Sequence, residues 1–363
     1  MNAPRHSDCA ADRAEDRAED RAAGLIEAQI DRATTLPALR QAAQHIDAMV
    51  QRLHAQAMPV GRIAQQVGRL NTRVFARLWA QLAPPDLVAH SCLLVMGSEG
   101  RGEQILKTDQ DNALLLRDGF ECPGLPAIAR DFNAALAELG YPRCPGDIML
   151  TNPLWRQPLA AFRETMRGWL YGNQPQGGGR DGPMHLAIFF DAVAVAGDPA
   201  LLDDARAHLA AIFSHNDAFL ARFAAAADQF QEPGGWFTWL RGRRDEQMLD
   251  LKKLGTFPVV HGVRALSLQY GVREPGTAAR LQRLAALGQL AAPMASELTQ
   301  ALHVLMQLRL THQLHQRARG ELPDNQVRPS ALAPGEREPL RDALAVVKSF
   351  RQFLRQHYRL DAL

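Results

Sequence analysis

The chain is poor in several things, and each shortage narrows its function. It has 4 cysteines in 363 residues, none in a CxxC pair. A disulfide framework and a structural zinc site are therefore not expected. Aromatic residues make up 6% of the chain, too few for a platform on which single-stranded bases stack. Charge of one sign is also missing: 41 basic and 39 acidic residues leave a formal charge of +2. No polyelectrolyte surface for nucleic acid follows from that balance, and no nucleic-acid partner is expected. There is no apolar run of about 18 residues to span a membrane and no apolar segment of a secretory signal near residue 1. The sequence thus predicts a cytoplasmic protein with no membrane partner.

With 47% apolar and 22% charged residues, the chain can bury a core, and its length is about twice that of a typical domain. Residues 11–22 read ADRAEDRAEDRA. This repeat has charge pairs but no apolar face, so residues 1–23 are expected to be a frayed helix or a disordered tail. Leu36, Leu39, Ala43, Ile46, Val50 and Leu53 recur at helical spacing, as do Val60, Ile63, Val67, Leu70, Val74 and Leu78. They predict two amphipathic helices within a helical region 24–89, closed by Pro84-Pro85.

The pattern then changes. Leu93–Met96 reads as a buried strand, Glu99–Leu106 as a short helix, Asp109–Leu116 as a second strand, 125–139 as a helix, 144–151 as a third strand and about 155–171 as a helix. His185–Asp191 fits a strand or a helix start equally well. Beyond Pro199 the sequence is almost wholly helical, with breaks at Pro233–Gly235, Gly271–Gly276, Pro293 and Pro334–Gly335. The expected architecture is α+β: a small mixed-sheet core over 90–197, flanked by the N-terminal helices and a C-terminal helical bundle over 198–363.

The chemistry is concentrated in GSEGRGEQILKTDQDN, residues 97–112. A strand ending in Gly-Ser and opening a helix suits close approach of backbone N–H groups to phosphates. Asp109 and Asp111, at i and i+2 on a strand, point to the same face. Two carboxylates beside a phosphate cradle offer the hard oxygen donors that Mg2+, or Mn2+, requires. Either element alone occurs often by chance. Together they predict in-line transfer of a nucleotide from a nucleoside triphosphate (NTP).

The stretch GSEGRGEQILKTDQDNALLL resembles the nucleotidyltransferases of the domain of unknown function 294 family, relatives of the PII-protein uridylyltransferases. CPGDIMLTNPLW, IFFDAVAVAGD and LDLKKLGTFPVVHGVRALSLQYGV are similar to the same family. The resemblance implies that Gly97 and Ser98 hold the triphosphate and that Asp109 and Asp111 bind the metal. It also implies that Arg101 lies near the phosphates, with Glu103 and Gln104 in supporting roles. A third carboxylate is implied, for which Asp147 and Asp191 are the two candidates. The implied acceptor hydroxyl is on a protein, as for the PII-protein enzymes. No His-Asp dipeptide is present, so hydrolytic removal of the nucleotide by an HD-type site is not implied.

Other residues fit blander roles. Lys107 reads as an exposed loop lysine or a phosphate contact, and Lys252, Lys253 and Arg264 as surface charges or as contacts to nucleotide or acceptor. His312 and His315 read as core or surface residues, and GGGRDG (177–182), without a P-loop lysine, as a connector. Two alternatives to protein nucleotidylation stay open: a nucleotide sensor without catalysis, and a transferase acting on a small molecule.

Overall fold

The computed structural model describes residues 21–171, 182–213, 216–228 and 248–362. The repeat up to residue 20, the glycine-rich stretch 172–181 and the break at Pro233–Gly235 lie outside the described residues. The fold is α+β, with a four-stranded mixed sheet, a two-stranded sheet and helices before and after them. The residues group into two compact units that alternate along the chain. The first takes residues up to Val95, then Gly102–Pro158 and Ala194–Pro199. The second takes Met96–Arg101, Leu159–Val193 and Ala200–Leu363.

The first unit opens with helix α1 (21–32), α2 (Leu36–Ala55) and α3 (Val60–Leu82). Thr35 caps α2 through its side-chain oxygen, with Pro37 in the first turn. The apolar residues expected on one face of α2 and α3 are buried, except that Leu36 of α2 is only partly so. After α4 (Pro85–Ala89) come strands β1 (Ser91–Val95) and β2 (Asn112–Leu116), antiparallel with Val95 opposite Asn112. Both are buried along their whole length, which is why they read as unbroken apolar runs. Helix α6 (Leu125–Glu138) packs on α3, with Phe132 edge-on to Phe75 and Trp79. Strand β3 (Arg156–Pro158) joins β2 in parallel, and β4 (Val193–Gly197) completes the order β3-β2-β1-β4. Gly197 (φ 88°) passes Ser91 so closely that a Cβ would lie 2.0 Å from the Ser91 carbonyl oxygen. Only glycine fits there.

The third strand is not where periodicity placed it. Residues 144–151 form turns, and the strand beside β2 is Arg156–Pro158. Pro145-Gly146 and a left-handed Asp147 (φ 53°) prevent extended pairing there.

The second unit contains α5 (Gly97–Gly100), α7 (Leu159–Tyr171), α8 (Gly182–Phe190), α9 (Ala200–Phe213) and α10 (Asp217–Ala225). Next come the short pair β5 (Leu249–Asp250) and β6 (Gln326–Val327), and helices α11 (Phe257–Gln269), α12 (Thr277–Ala286), α13 (Ala292–Ala318) and α14 (Pro334–His357). The run His185–Asp191 is thus helical, ending at Phe190. Helix α11 is buried continuously from Pro258 to Ser267 and is the axis of this unit. Gly262 lets α14 approach it: a Cβ there would meet Leu354 at 2.4 Å and Phe350 at 2.6 Å. Among the described residues, no helix is long and apolar enough to cross a membrane.

His261, on α11, is fully buried and stacked between Phe223 and Phe257. Its Nε2 donates to the Phe223 carbonyl at 2.6 Å, and its Nδ1 has no hydrogen-bond partner. A charged ring would bury a second N–H with no acceptor. Burial first, then the Arg264 charge, pulls its pKa from 6.5 to about 4. The unfolded chain therefore binds the proton before the folded one does. Stability should fall as the pH drops from about 6.5 to about 4, by up to about 3 kcal/mol. In His261→Gln, which can still donate to Phe223 but cannot titrate, urea denaturation should show a flatter pH dependence over that window.

Candidate active site

The segment Asp109–Asn112 alternates strictly. Gln110 and Asn112 are buried, whereas Asp109 and Asp111 lie on the other, partly exposed side. Strand geometry makes this alternation automatic. The segment is strand-like only in part: β2 begins at Asn112, and Gln110 makes an isolated parallel bridge to Arg143.

A buried amide network fixes the inward pair. The Asn133 amide donates to Gln110 Oε1 at 2.6 Å and to Asn112 Oδ1 at 3.0 Å. Gln110 donates to the carbonyls of Tyr141 and Asn133, and Asn112 and Asn133 accept from the backbone N–H groups of Leu150 and Thr151. Tyr141 donates to Asn71 on α3 at 2.6 Å. Buried amides of this kind are stable only when satisfied, and a satisfied set is rigid. Sequence reasoning did not single out Gln110, Asn112, Asn133, Tyr141 or Asn71. The available signal was polar residues at inward positions next to an apolar strand.

On the outward side, Asp109, Asp111 and Cys144 each bring one donor atom within 4.8 Å of the other two. It is the one such group of three metal-ligating side chains among the described residues. Burial first, then the Asp111 charge and the hydrogen bond to its carboxylate, pushes the Cys144 thiol up to about 12. Gln104 braces the pair from behind, donating to the Asp109 carbonyl at 3.0 Å and to Thr108 Oγ1 at 2.8 Å. Its own Oε1 is buried without a hydrogen-bond partner.

The other expected residues of this unit have different surroundings. Lys107 is neither an exposed loop lysine nor free for a phosphate. It is buried, donates to Asp47 at 2.6 Å and to the Ala43 carbonyl at 2.7 Å on α2, and lies over the Tyr141 ring. Glu103 is half-buried. Asp147 sits on an exposed turn, its N–H donating to the Cys144 carbonyl, and is outside the group of three.

Gly97, Ser98, Arg101 and Asp191 belong to the second unit. The expected helix over Glu99–Leu106 is a single turn, Gly97–Gly100, which contains the Gly-Ser pair instead of following it. Gly100 and a left-handed Gly102 (φ 64°) end it early. Gly97 is left-handed as well (φ 57°), and Ser98 is inside the turn, not at its N-cap. Arg101 ends in an ion cluster. Asp191, 1% exposed, accepts from Arg101 at 2.5 Å and Arg280 at 2.7 Å, and Arg264 binds it through both Nε and Nη2. Burial alone would raise the Asp191 carboxyl. Arg264, Arg101 and Arg280 outweigh it and hold the group well below the usual carboxylate range. Arg280 also stacks on Phe190, 4.7 Å from the ring centre. Arg264 is therefore a buried ion-pair partner, not a surface charge.

Residues 44–176 match the family model described as "Putative nucleotidyltransferase DUF294", and residues 217–358 match "Putative nucleotidyltransferase substrate binding domain". The chain belongs to the DUF294 nucleotidyltransferase family. No curated protein matches it. The DUF294 match takes in the Gly-Ser turn, Arg101, the carboxylate pair and Cys144. The substrate-binding match takes in Arg264 and Arg280, and Asp191 falls between the two. The activity that DUF294 membership supports is nucleotidyl transfer in general, a chemistry that usually needs a divalent metal. The two carboxylates fit such an ion, being hard donors on one side of a rigid segment, and the thiol beside them adds a soft one.

Asp191 leads to a stability prediction. Replacing it with Asn leaves three buried guanidinium groups without their anion, a change that costs about 3–5 kcal/mol in comparable cases. The urea midpoint of Asp191→Asn should fall accordingly. An unchanged midpoint would mean that solvent already screens the cluster.

Proposed function

We propose that this protein transfers a nucleoside monophosphate from an NTP to an acceptor hydroxyl, with Mg2+ or Mn2+ held by Asp109 and Asp111. The observation that carries this reading is the carboxylate pair: it comes together on an amide-braced segment, inside the stretch matched by a nucleotidyltransferase model. A divalent cation held there would supply charge neutralisation for the departing pyrophosphate and would acidify the attacking hydroxyl. Asp109 and Asp111 bind and orient. Gln104 fixes the Asp109 backbone, with Glu103 beside it in sequence. Gly97, Ser98 and Arg101 are assigned to the phosphates on the sequence resemblance alone, and Arg101 is also an ion-pair partner of Asp191. Lys107 acts indirectly, by tying its loop to α2.

The acceptor is proposed to be a protein, in a signalling role like that of the PII-protein uridylyltransferases, on the strength of the sequence resemblance and of a domain described as substrate-binding. A cytoplasmic setting, where NTP is available, suits that role. Asp147 lies outside the group of three, and both Asp191 oxygens are engaged by arginine. A sulfur in the third position favours a second reading, in which the site binds a nucleotide as a signal without transferring it.

Incubation with each labelled NTP, Mg2+ or Mn2+ and cell lysate separates the two. Transfer predicts label on one acceptor species. In Asp109→Asn that labelling should fall by at least about 100-fold, the loss of a metal-dependent step, with an unchanged melting curve. Tight binding of one NTP with no labelling of any species would establish the sensor instead.

A further inference from the structure

The group of three contains one donor that does not suit Mg2+. Cys144 Sγ lies with an oxygen of Asp109 and one of Asp111 inside 4.8 Å, and the fold leaves it little freedom to be elsewhere. Residues 142–148 run beside the carboxylate segment: Gln110 N–H donates to the Pro142 carbonyl, and Asn112 N–H to the Ile148 carbonyl, each at 3.0 Å. Gln110 also bridges Arg143. Cys144 therefore sits between two backbone anchors on the very residues that alternate with the aspartates. The turn that follows is closed by Asp147 N–H on the Cys144 carbonyl at 3.0 Å, and the proline after Cys144 restricts its backbone. Beside Asp109, Gln104 is 5% exposed and keeps a buried Oε1 without a hydrogen-bond partner. An acceptor left this way, on a side chain whose amide holds the Asp109 carbonyl, suits the water of a hydrated cation.

We propose that Cys144 is a third ligand of the cation at Asp109 and Asp111, and that the site therefore holds thiophilic divalent ions such as Cd2+ and Zn2+ far more tightly than Mg2+. On binding, the S–H proton passes to solvent, its hydrogen bond to Asp111 is given up, and a sulfur–metal bond replaces it. No redox change is involved. Thiolate donors select soft and borderline ions, while Mg2+ keeps to oxygen. In a cell, such a site would be open to inhibition by a thiophilic metal at concentrations that leave an all-carboxylate site alone. The inference deepens the proposed transfer site and rests on it for the site's purpose, but its test requires no turnover.

The test uses the full chain carrying Cys9→Ser and Cys122→Ser, since the remaining Cys92 is fully buried. Cd2+ and Mg2+ are titrated separately, with calorimetry for affinity and ultraviolet absorption for the cadmium–thiolate band. The parent should show the band. Cys144→Ser should lose it and bind Cd2+ about tenfold or more weakly, while Mg2+ affinity changes little. Cys144→Asp should lose the band and bind Mg2+ more tightly. A band that persists in Cys144→Ser, or equal Cd2+ affinities in the two proteins, overturns the proposal. If Cys144→Ser does not fold, the cadmium NMR shift of the parent decides: a sulfur-ligated shift upholds the ligand and an oxygen-only shift removes it. Asp109→Asn separates the two readings. If it transfers nucleotide at the parental rate while the parent's cadmium band is present, the proposed reaction falls and the sulfur ligand stands. If it abolishes transfer while the parent shows no band, the sulfur ligand falls alone.

Discussion

Four consecutive residues, Asp109 to Asn112, set the requirement that the first unit is built to meet. Chain alternation sends two amides inward whenever it sends two carboxylates outward. The amides then need partners in a region with no water. Asn133 on α6, the Tyr141 carbonyl and the backbone of 148–151 provide them. An apolar residue at position 110 or 112 could make none of these side-chain hydrogen bonds, and so could not fix the segment's rotation. The carboxylates' direction thus depends on hydrogen bonds made on the side away from them.

The second unit uses the opposite device. One of its buried polar groups is a charge, Asp191, and three arginines from separate parts of the sequence converge on it. A single carboxylate has two oxygens and about four lone-pair directions. Three guanidinium groups nearly exhaust them, so the cluster is specific in geometry as well as in charge. Arg101 belongs to it while lying three residues from Ser98. The position of the Gly-Ser turn within this unit is thereby linked to helices α11 and α12.

The sequence disclosed elements whose periodicity is set by burial and concealed those set by individual contacts. The stripes of α2 and α3, the apolar β1 and β2 were legible because water is excluded from one face or from both. The carboxylate pair was legible because strand spacing alone places it. The strand expected at 144–151 was not legible: its composition suits a strand, but Pro145-Gly146 and the left-handed Asp147 oblige it to turn. The helix expected over Glu99–Leu106 proved to be one turn at Gly97–Gly100, because the glycines at 100 and 102 stop it. Cys144 was not singled out, since nothing in its neighbourhood in sequence indicates that it returns beside Asp111. That Asp191, a candidate third carboxylate, sits among three arginines was not legible, because they lie 73 to 90 positions away.

The buried Lys107 alters what the N-terminal helices are for. An ammonium group in the interior needs an acceptor, and both of its recorded ones, Asp47 and the Ala43 carbonyl, belong to α2. Gly68 on α3 meets the same loop from another side: a Cβ there would lie 3.1 Å from Gly102 Cα. The loop leading to the carboxylates is therefore clamped to two helices that precede it in the sequence, one by a cation that reaches back 60 to 64 positions and one by the absence of a side chain. A form trimmed back to the sheet would lose both acceptors of this ammonium and leave the loop without its floor. The helices ahead of the sheet are foundation, and the smallest unit able to carry this site begins with them.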